Sequence, residues 1–224
     1  MRVALVGGAG FIGTRLAAAL ARQGARVAVL DRDRPRPAGV EWVPCDVRLA
    51  GLEGAPLAGY DAVFLLAALL AKRCGEDPVE GWRVNVAGLG HAVEALRAAG
   101  GAPRVVFFSS AMVYATGCPP CVDEDAPLAG AGLYGRSKLV GEELLAAAAE
   151  TLGWDVTVLR PFTVYGPGPA AGERGHFVAH WLELARAGAP LTVHGDGTQT
   201  VDLVHVDDVA AACLAALARP RVAG

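Results

Sequence analysis

The stretch GGAGFIG, residues 7–13, constrains the fold more than any other part of the chain. It follows an apolar run (2–7) and opens a helical pattern, and the next apolar run (26–31) ends in an acid. Glycines at this spacing allow a tight turn, a close backbone approach to a pyrophosphate, and close packing of helix on strand. The helix start offers free N–H groups to an anion. The stretch therefore predicts a dinucleotide-binding turn, with a glycine-rich turn that binds no ligand as the alternative.

Further apolar runs alternate with helical patterns along the first 165 residues. The runs are continuous, as expected for strands that are covered on both faces, and they lie at 61–68, 104–110 and 155–161. The helical patterns each end at a glycine and lie at 14–24, 80–100 and 134–153. Strands that alternate with helices predict an α/β fold, here a Rossmann-type doubly wound parallel sheet over residues 1–165.

Residues 166–224 have a different sequence pattern. A turn-rich stretch leads to a helical pattern around 176–188 and a short β-like stretch at 191–197. The stretch 201–220 predicts a strand and then a helix with Asp207 or Asp208 as its N-cap. These 59 residues are few for an independent domain, so we expect a partial substrate-binding segment that interleaves with the core and is truncated.

Composition excludes several classes of function. The formal net charge is -3 with both signs interspersed, which argues against a nucleic-acid or anionic-membrane partner. The longest apolar run, 62–71, is well short of the roughly 20 residues that a membrane helix needs. Cys118 and Cys121 form a lone Cys-x-x-Cys without a second pair, so no metal site is predicted. A cytoplasmic protein with a small-molecule substrate is expected.

Lysine is rare in this chain, with two lysines against 18 arginines, and Lys138 stands four residues after Tyr134. On a helix the two side chains share one face. A free tyrosine has a pKa of about 10, and a nearby ammonium favours the phenolate. Ser110 ends an apolar run 24 residues before Tyr134, where open α/β sheets bind ligands. The three predict a site where Tyr134 removes a proton from an oxygen held by Ser110.

Three polar residues are candidates for cofactor binding. Asp31 would accept hydrogen bonds from the adenosine ribose, which favours NAD over NADP, although Arg32 beside it keeps NADP open. Asp46 would accept the adenine amino group or would be a solvated acid at a strand end. Asn85, the single asparagine, lies in a helical pattern; either its position demands both a donor and an acceptor, or it faces solvent.

The glycine turn, SSAMVY (109–114), Tyr-x-x-x-Lys and LRPFTVYGPG (159–168) occur together and in this order. The combination resembles the extended short-chain dehydrogenase/reductases of the NAD-dependent epimerase/dehydratase family. The resemblance implies a homodimer formed through helices that include the one bearing Tyr134. It implies a catalytic set of Ser110, Tyr134 and Lys138, with Ser110 and Thr163 toward the substrate. It implies NAD contacts from Gly7, Gly10, Phe11, Ile12, Gly13, Asp31, Arg32, Asp46, Val47, Ala67, Ala68, Asn85, Ser109, Tyr134, Lys138 and Pro161.

The chain departs from the family pattern at several positions. Nucleotide-sugar members usually have Asn at Thr163 and Arg at Val201, side chains that typically hold a diphosphate. Ala111 and Met112 replace the Asp-Glu of 4,6-dehydratases, so elimination is not expected. The leading interpretation is an NAD-dependent epimerase of nucleotide-sugar type. The alternatives are an NAD(P)-dependent reductase or dehydrogenase of a small alcohol or ketone, and a non-catalytic dinucleotide sensor.

Overall fold

The computed structural model describes residues 1–34, 39–52, 56–101, 103–115, 122–167, 177–193 and 195–219. Six parallel strands form the main sheet in the order β3-β2-β1-β4-β5-β6, and a parallel pair, β7-β8, lies apart from it. The strands are β1 (Arg2–Val6), β2 (Arg26–Asp31), β3 (Glu41–Pro44), β4 (Ala62–Leu65), β5 (Arg104–Phe108), β6 (Asp155–Leu159), β7 (Thr163–Tyr165) and β8 (Leu203–His205). The expected α/β, doubly wound parallel sheet is confirmed.

Helices cover both faces of the main sheet. They are α1 (Phe11–Arg22), α2 (Ala71–Glu76), α3 (Pro78–Trp82), α4 (Gly88–Ala99), α5 (Gly132–Leu152), α6 (Phe177–Arg186) and α7 (Val206–Ala218). Apolar residues of α1 and α7 pack on one face, among them Leu16, Leu20 and Cys213, and residues of α4 and α5 pack on the other, among them Leu96 and Leu145. The continuous apolar strands predicted from the sequence are therefore buried on both sides.

The pattern at 80–100 is not one regular helix. A π-helical turn, Arg83–Ala87, joins α3 to α4. Such turns often occur at functional sites. Here the turn contains Asn85, which faces the loop after β4.

The segment after residue 165 differs from the prediction in two ways. Residues 191–193 and 195–197 do not form a strand in the described part of the chain. The N-cap of α7 is His205, whose Nδ1 accepts a hydrogen bond from Asp207 N at 3.2 Å, whereas Asp207 and Asp208 lie in the first helical turn. His205 occupies the N-cap position, so its imidazole accepts from the free Asp207 N–H group in place of an aspartate side chain.

Helix α7 packs against α1 and contacts the start of β5. Buried Arg104 at the start of β5 pairs with Asp155 at 2.7 Å and donates to the carbonyl groups of Ala216, Leu217 and Arg219 at the end of α7. The division into a domain of residues 1–165 and a partial segment of 166–224 stays a prediction.

Candidate active site

The predicted site residues lie together at the carboxyl ends of the strands of the main sheet. The chain order reverses between β1 and β4, which is where open parallel sheets form a ligand crevice. The glycine turn follows β1, Ala67 and Ala68 follow β4, Ser109 and Ser110 follow β5, and Pro161 follows β6.

The glycine turn fits tightly between β1 and β4. Gly7 has a φ of +80°, and a Cβ there would lie 2.4 Å from Ala67 Cα. A Cβ on Gly13 would lie 2.4 Å from Gly8 O, so α1 can approach the turn only without a side chain. Gly7 and Gly13 are therefore required by the protein's own packing.

Gly10 is different, because the space beside it is open. Within the described residues, the nearest atom to a Cβ on Gly10 would be Gly7 O at 3.9 Å. Gly10 is the N-cap of α1, and the helix's first turn, all of it described, has no side-chain cap and no acidic residue. Phe11 and Ile12 begin this helix, so their N–H groups face the open space without a side-chain acceptor. These residues fit the pyrophosphate of a dinucleotide.

Asp31 at the end of β2 lies against the glycine turn. Its Oδ2 accepts from Ala9 N at 2.9 Å, and its Oδ1 accepts from Asp33 N at 3.0 Å. A carboxylate oxygen can accept more than one hydrogen bond, so both oxygens can still accept from ribose hydroxyls. Arg32 beside it is exposed.

Asp46 carries an ion pair that the sequence did not reveal. Arg48 Nε donates to both carboxylate oxygens, at 2.9 and 3.0 Å, and Arg48 Nη1 donates to Glu80 at 2.8 Å. Arg48 holds the pKa of Asp46 below its usual value, with Arg32 adding to the effect. The carbonyl oxygen of Val47 accepts from His91 Nδ1 at 2.8 Å, which fixes the loop on α4. Asp46 is therefore an ion-paired, half-buried acid after β3, and its contact with the adenine stays a prediction.

Asn85 is buried, at 4% exposure, and uses both its donor and its acceptor. Its Oδ1 accepts from Leu69 N at 2.7 Å, and its Nδ2 donates to Leu69 O at 3.0 Å and to Ser137 Oγ at 3.1 Å. Ser137 in turn donates to Tyr134 O at 2.7 Å. Asn85 therefore links the loop that contains Ala67 and Ala68 to the start of α5. Its role as a direct cofactor contact stays a prediction.

Ser110, Tyr134 and Lys138 meet at the ends of β5 and α5. The side chain of Ser110 lies close enough to the Tyr134 hydroxyl to lower its pKa. Lys138, at 3% exposure, donates from Nζ to Phe108 O at 2.7 Å, and this nitrogen lies 5.8 Å from the centre of the Tyr134 ring. The helical spacing thus places the ammonium beneath the phenol ring, as the sequence predicted.

Burial dominates the electrostatics of this trio. Burial raises the pKa of Tyr134, and the neighbouring Ser110 hydroxyl offsets only part of that effect. Burial also lowers the pKa of Lys138 from 10.5 to about 8. The predicted lowering of the Tyr134 pKa also requires the positive charge of a bound nicotinamide, so it stays a prediction.

The remaining predicted residues have mixed roles. Ser109 is buried and donates its hydroxyl hydrogen to Glu142, and its contact with the cofactor stays a prediction. Pro161 O accepts from Ala111 N at 3.0 Å beside Ser110. Thr163 is half-buried on β7, with its N–H donating to Asp202 O at 3.1 Å.

Glu142 was not predicted as a site residue, although it lies one helical turn beyond Lys138 on the helix face that carries Tyr134 and Lys138.

Two further predictions concern metals and membranes. Among the described residues, no group of three or more His, Cys, Asp and Glu side chains is placed to hold a metal ion. Cys118 and Cys121 lie outside the described residues. Of the helices in the described ranges, none has the length and apolar character needed to cross a membrane.

Because Lys138 is buried, we expect its charge to lower the free energy of unfolding by an amount that depends on pH. Lys138→Met should raise the free energy of unfolding of the cofactor-free protein at pH 7 by about 2 kcal/mol, because one pKa unit corresponds to about 1.4 kcal/mol and part of the gain is lost with the bond to Phe108 O. The folded-state pKa lies below the unfolded value, so the cost is complete below pH 8. It declines as the pH rises from about 8 to 10.5.

Urea unfolding at pH 7 and pH 10 measures this cost. The matched control is Lys72→Met, which removes the other lysine, 74% exposed on α2, and should change stability by less than about 0.5 kcal/mol at either pH. A Lys138→Met protein that is less stable than the wild type at pH 7, or whose advantage is the same at pH 10, contradicts the assigned cost of burial.

The model of the NAD dependent epimerase/dehydratase family matches residues 3–224. The chain belongs to this family. It is 34% identical over 224 residues to UDP-glucose 4-epimerase of Mycolicibacterium smegmatis, covering 93% of this chain and 71% of the relative. It is 36% identical over 230 residues to the 3-diazoavenalumate denitrifying reductase of a Streptomyces species, covering 97% and 72%.

A solved structure agrees with these sequence relatives. The UDP-glucose 4-epimerase of Thermus thermophilus, in complex with NAD, superposes with a TM-score of 0.85 at 32% identity, covering 99% of this chain and 76% of that chain. The family resemblance inferred from the motifs is confirmed.

Proposed function

We propose that this protein is an NAD-dependent epimerase that acts on a nucleotide sugar. The observation that carries the proposal is the placement of Ser110 and Lys138 against Tyr134, with Lys138 beneath the phenol ring, beside an open and uncapped glycine turn. The similarity to two UDP-glucose 4-epimerases, one of them in complex with NAD, supports the substrate class and the cofactor.

The cofactor is held by residues of the glycine turn and the neighbouring strand ends. The free N–H groups of α1 bind the pyrophosphate, Asp31 accepts from the ribose, and the loop with Ala67 and Ala68 lies beside it. When bound, NAD would accept a hydride from a carbinol carbon and, in an epimerase, give it back on the opposite face. It would also supply a positive charge near the phenol.

The chain's own residues handle the proton. Ser110 donates a hydrogen bond to the substrate oxygen and orients it toward Tyr134. Tyr134, as the phenolate, takes the hydroxyl proton as the carbinol is oxidised and returns it when the carbon is reduced. Lys138 supplies a compact positive charge beside the ring that favours the phenolate.

A mixing experiment separates the proposed function from its alternatives. The purified protein is assayed for retained NAD and then mixed with UDP-glucose, UDP-galactose, UDP-glucuronic acid and a panel of ketones and alcohols. We expect retained NAD and formation of an epimer with no net change in the absorbance of NADH. Stoichiometric formation or consumption of NADH contradicts the epimerase and supports the reductase, which the Streptomyces relative favours. Bound NAD without turnover contradicts both.

The assembly and location of the protein stay predictions. A homodimer would cover apolar residues that are exposed in the single chain, such as Val79 and Trp82 on α3, which packs against α5. Light scattering of the purified protein at micromolar concentration measures its oligomeric state. A cytoplasmic location is expected from the composition.

A further inference from the structure

Three consecutive residues at the end of β5 contact α5 at three positions, each four residues apart. Ser110 lies beside the Tyr134 hydroxyl, Phe108 O accepts from Lys138 Nζ at 2.7 Å, and Ser109 donates from Oγ to Glu142. The proposed catalytic pair therefore belongs to a row of three contacts between strand and helix. Glu142 forms the contact farthest from the substrate.

Glu142 also binds the end of the neighbouring strand through Arg160, which directly follows β6. Arg160 Nη2 donates to Oε2 at 2.7 Å, and Arg160 Nε donates to Oε1 at 3.0 Å. The two side chains are 12% and 19% exposed, so the pair is largely shielded from water. Glu142 and the Tyr114 hydroxyl raise the pKa of Arg160, which keeps the guanidinium charged.

The backbone places Ser110 between these anchors. Ser109 N donates to Leu159 O at 2.8 Å, and Ala111 N donates to Pro161 O at 3.0 Å. Ser109 thus continues the register of β5 opposite Arg160, and Ser110 follows it, with a backbone hydrogen bond to the end of β6 on either side. Arg160 Nη1 also donates to Glu124 O at 2.9 Å, in the chain that follows the Ser110 segment. The ends of β5 and β6 therefore converge on one carboxylate of α5.

We propose that Glu142 is a positioning residue, which fixes the ends of β5 and β6 on α5 and thereby holds Ser110 Oγ against the Tyr134 hydroxyl. The proposal rests on the proposed function, because it assigns Glu142 a part in the same proton transfer. Glu142 acts through Ser109 and Arg160, not by contact with the substrate. A carboxylate is needed because it accepts from both partners at once, whereas a glutamine would turn its NH2 group toward one of the donors.

Turnover kinetics of Glu142→Gln test the positioning role. Misplacement of a reacting group by about 1 Å can cost roughly 100-fold, so we expect kcat to fall about 10- to 100-fold while KM changes less than about threefold. Glu143→Gln is the matched control, since Glu143 is the exposed neighbour on the same helix, and it should leave kcat unchanged. Circular dichroism checks that each variant is folded.

A double-mutant cycle separates positioning from general destabilisation. If Glu142 acts through Ser110, Glu142→Gln should change kcat less than about twofold in a Ser110→Ala background. If Glu142→Gln does not fold, Ser109→Ala takes its place in the cycle, because it removes only the hydroxyl and leaves the Glu142–Arg160 pair intact. Full kcat in the single variant, or effects that multiply in the double variant, overturn the proposal.

A second readout needs no substrate and therefore keeps this proposal distinct from the proposed function. In protein labelled with ¹³C at the tyrosine ζ position, Tyr134 is identified by the signal missing from Tyr134→Phe, and its pKa is measured by NMR. We expect the same upward change in this pKa in Glu142→Gln, in Ser110→Ala and in the double variant. A Tyr134 pKa in Glu142→Gln equal to that of the wild type overturns the positioning role, whether or not any sugar is turned over.

Discussion

Tyr134→Phe should reduce kcat by about 10²- to 10⁴-fold and leave the fold and the bound cofactor in place, because general acid–base catalysis contributes a factor of that size. The substitution removes one hydroxyl, which lies beside Ser110, and keeps the ring that lies above Lys138. The phenylalanine ring therefore fills the same half-buried space. Steady-state kinetics on the substrate that the panel assay finds measure the loss, and the retained NAD is quantified in the same sample.

Tyr60→Phe provides a matched control for this loss. Tyr60 precedes β4, at the amino ends of the strands and therefore away from the site at their carboxyl ends. Its ring centre lies 5.0 Å from the Arg2 guanidinium. Removing that hydroxyl should change kcat less than about twofold, as expected for a substitution far from the site. A Tyr134→Phe enzyme that keeps more than about a tenth of the wild-type kcat contradicts the role of Tyr134 as the base.

Gly13→Ala should weaken NAD binding more than about 100-fold and lower the free energy of unfolding by about 3 kcal/mol, the upper part of the range for overpacked sites. The new Cβ would lie 2.4 Å from Gly8 O and 2.6 Å from Gly8 Cα. Both atoms belong to the backbone, so either the glycine turn or α1 must move. Isothermal titration calorimetry with NAD and urea unfolding measure the two losses.

Gly10→Ala tests whether the open space beside Gly10 is needed to bind a ligand and not to pack the protein. Its Cβ would have no described atom closer than Gly7 O at 3.9 Å, so the cofactor-free protein should keep its stability within about 0.5 kcal/mol. NAD affinity should nevertheless fall at least about 10-fold, since the backbone could no longer approach the pyrophosphate closely.

Gly90→Ala on α4 is the neutral control for both glycine variants. A Cβ there would meet no described atom within 4 Å, and alanine is a better helix former than glycine, so stability should rise by about 0.5–1 kcal/mol with unchanged NAD affinity. Wild-type NAD affinity in Gly10→Ala would contradict the assignment of the open space to the cofactor.

The main sheet could be predicted because local patterns determine it. Five of its six strands are apolar runs that alternate with helical patterns, and their parallel pairing follows from that alternation. Four of the five are largely buried, whereas β6 at the edge is half-buried. β3 gave only a weak signal, since it is a short edge strand with Trp42 exposed. The N-cap of α7 was misassigned because three closely spaced candidates, His205, Asp207 and Asp208, can each accept a hydrogen bond near the helix start.

The site was predictable where spacing along one element places the residues, and not where distant elements meet. Tyr134 and Lys138 follow from helical periodicity, and the same periodicity extended by one turn would have reached Glu142. The ion pairs of Glu142 with Arg160 and of Asp46 with Arg48 join side chains whose contact depends on tertiary placement or on a loop conformation. The burial that raises the pKa of Tyr134 and lowers that of Lys138 could not be obtained from their spacing.

The fate of the hydrogen on the reacting carbon tests the central claim most directly. A UDP-sugar carrying deuterium at carbon 4 is converted in ordinary water, and the product is analysed by NMR and mass spectrometry. A mechanism in which hydride leaves and returns within one site predicts an epimer that keeps its deuterium at carbon 4. An epimer whose deuterium has been replaced by hydrogen from water, or the absence of any epimer, would contradict the account.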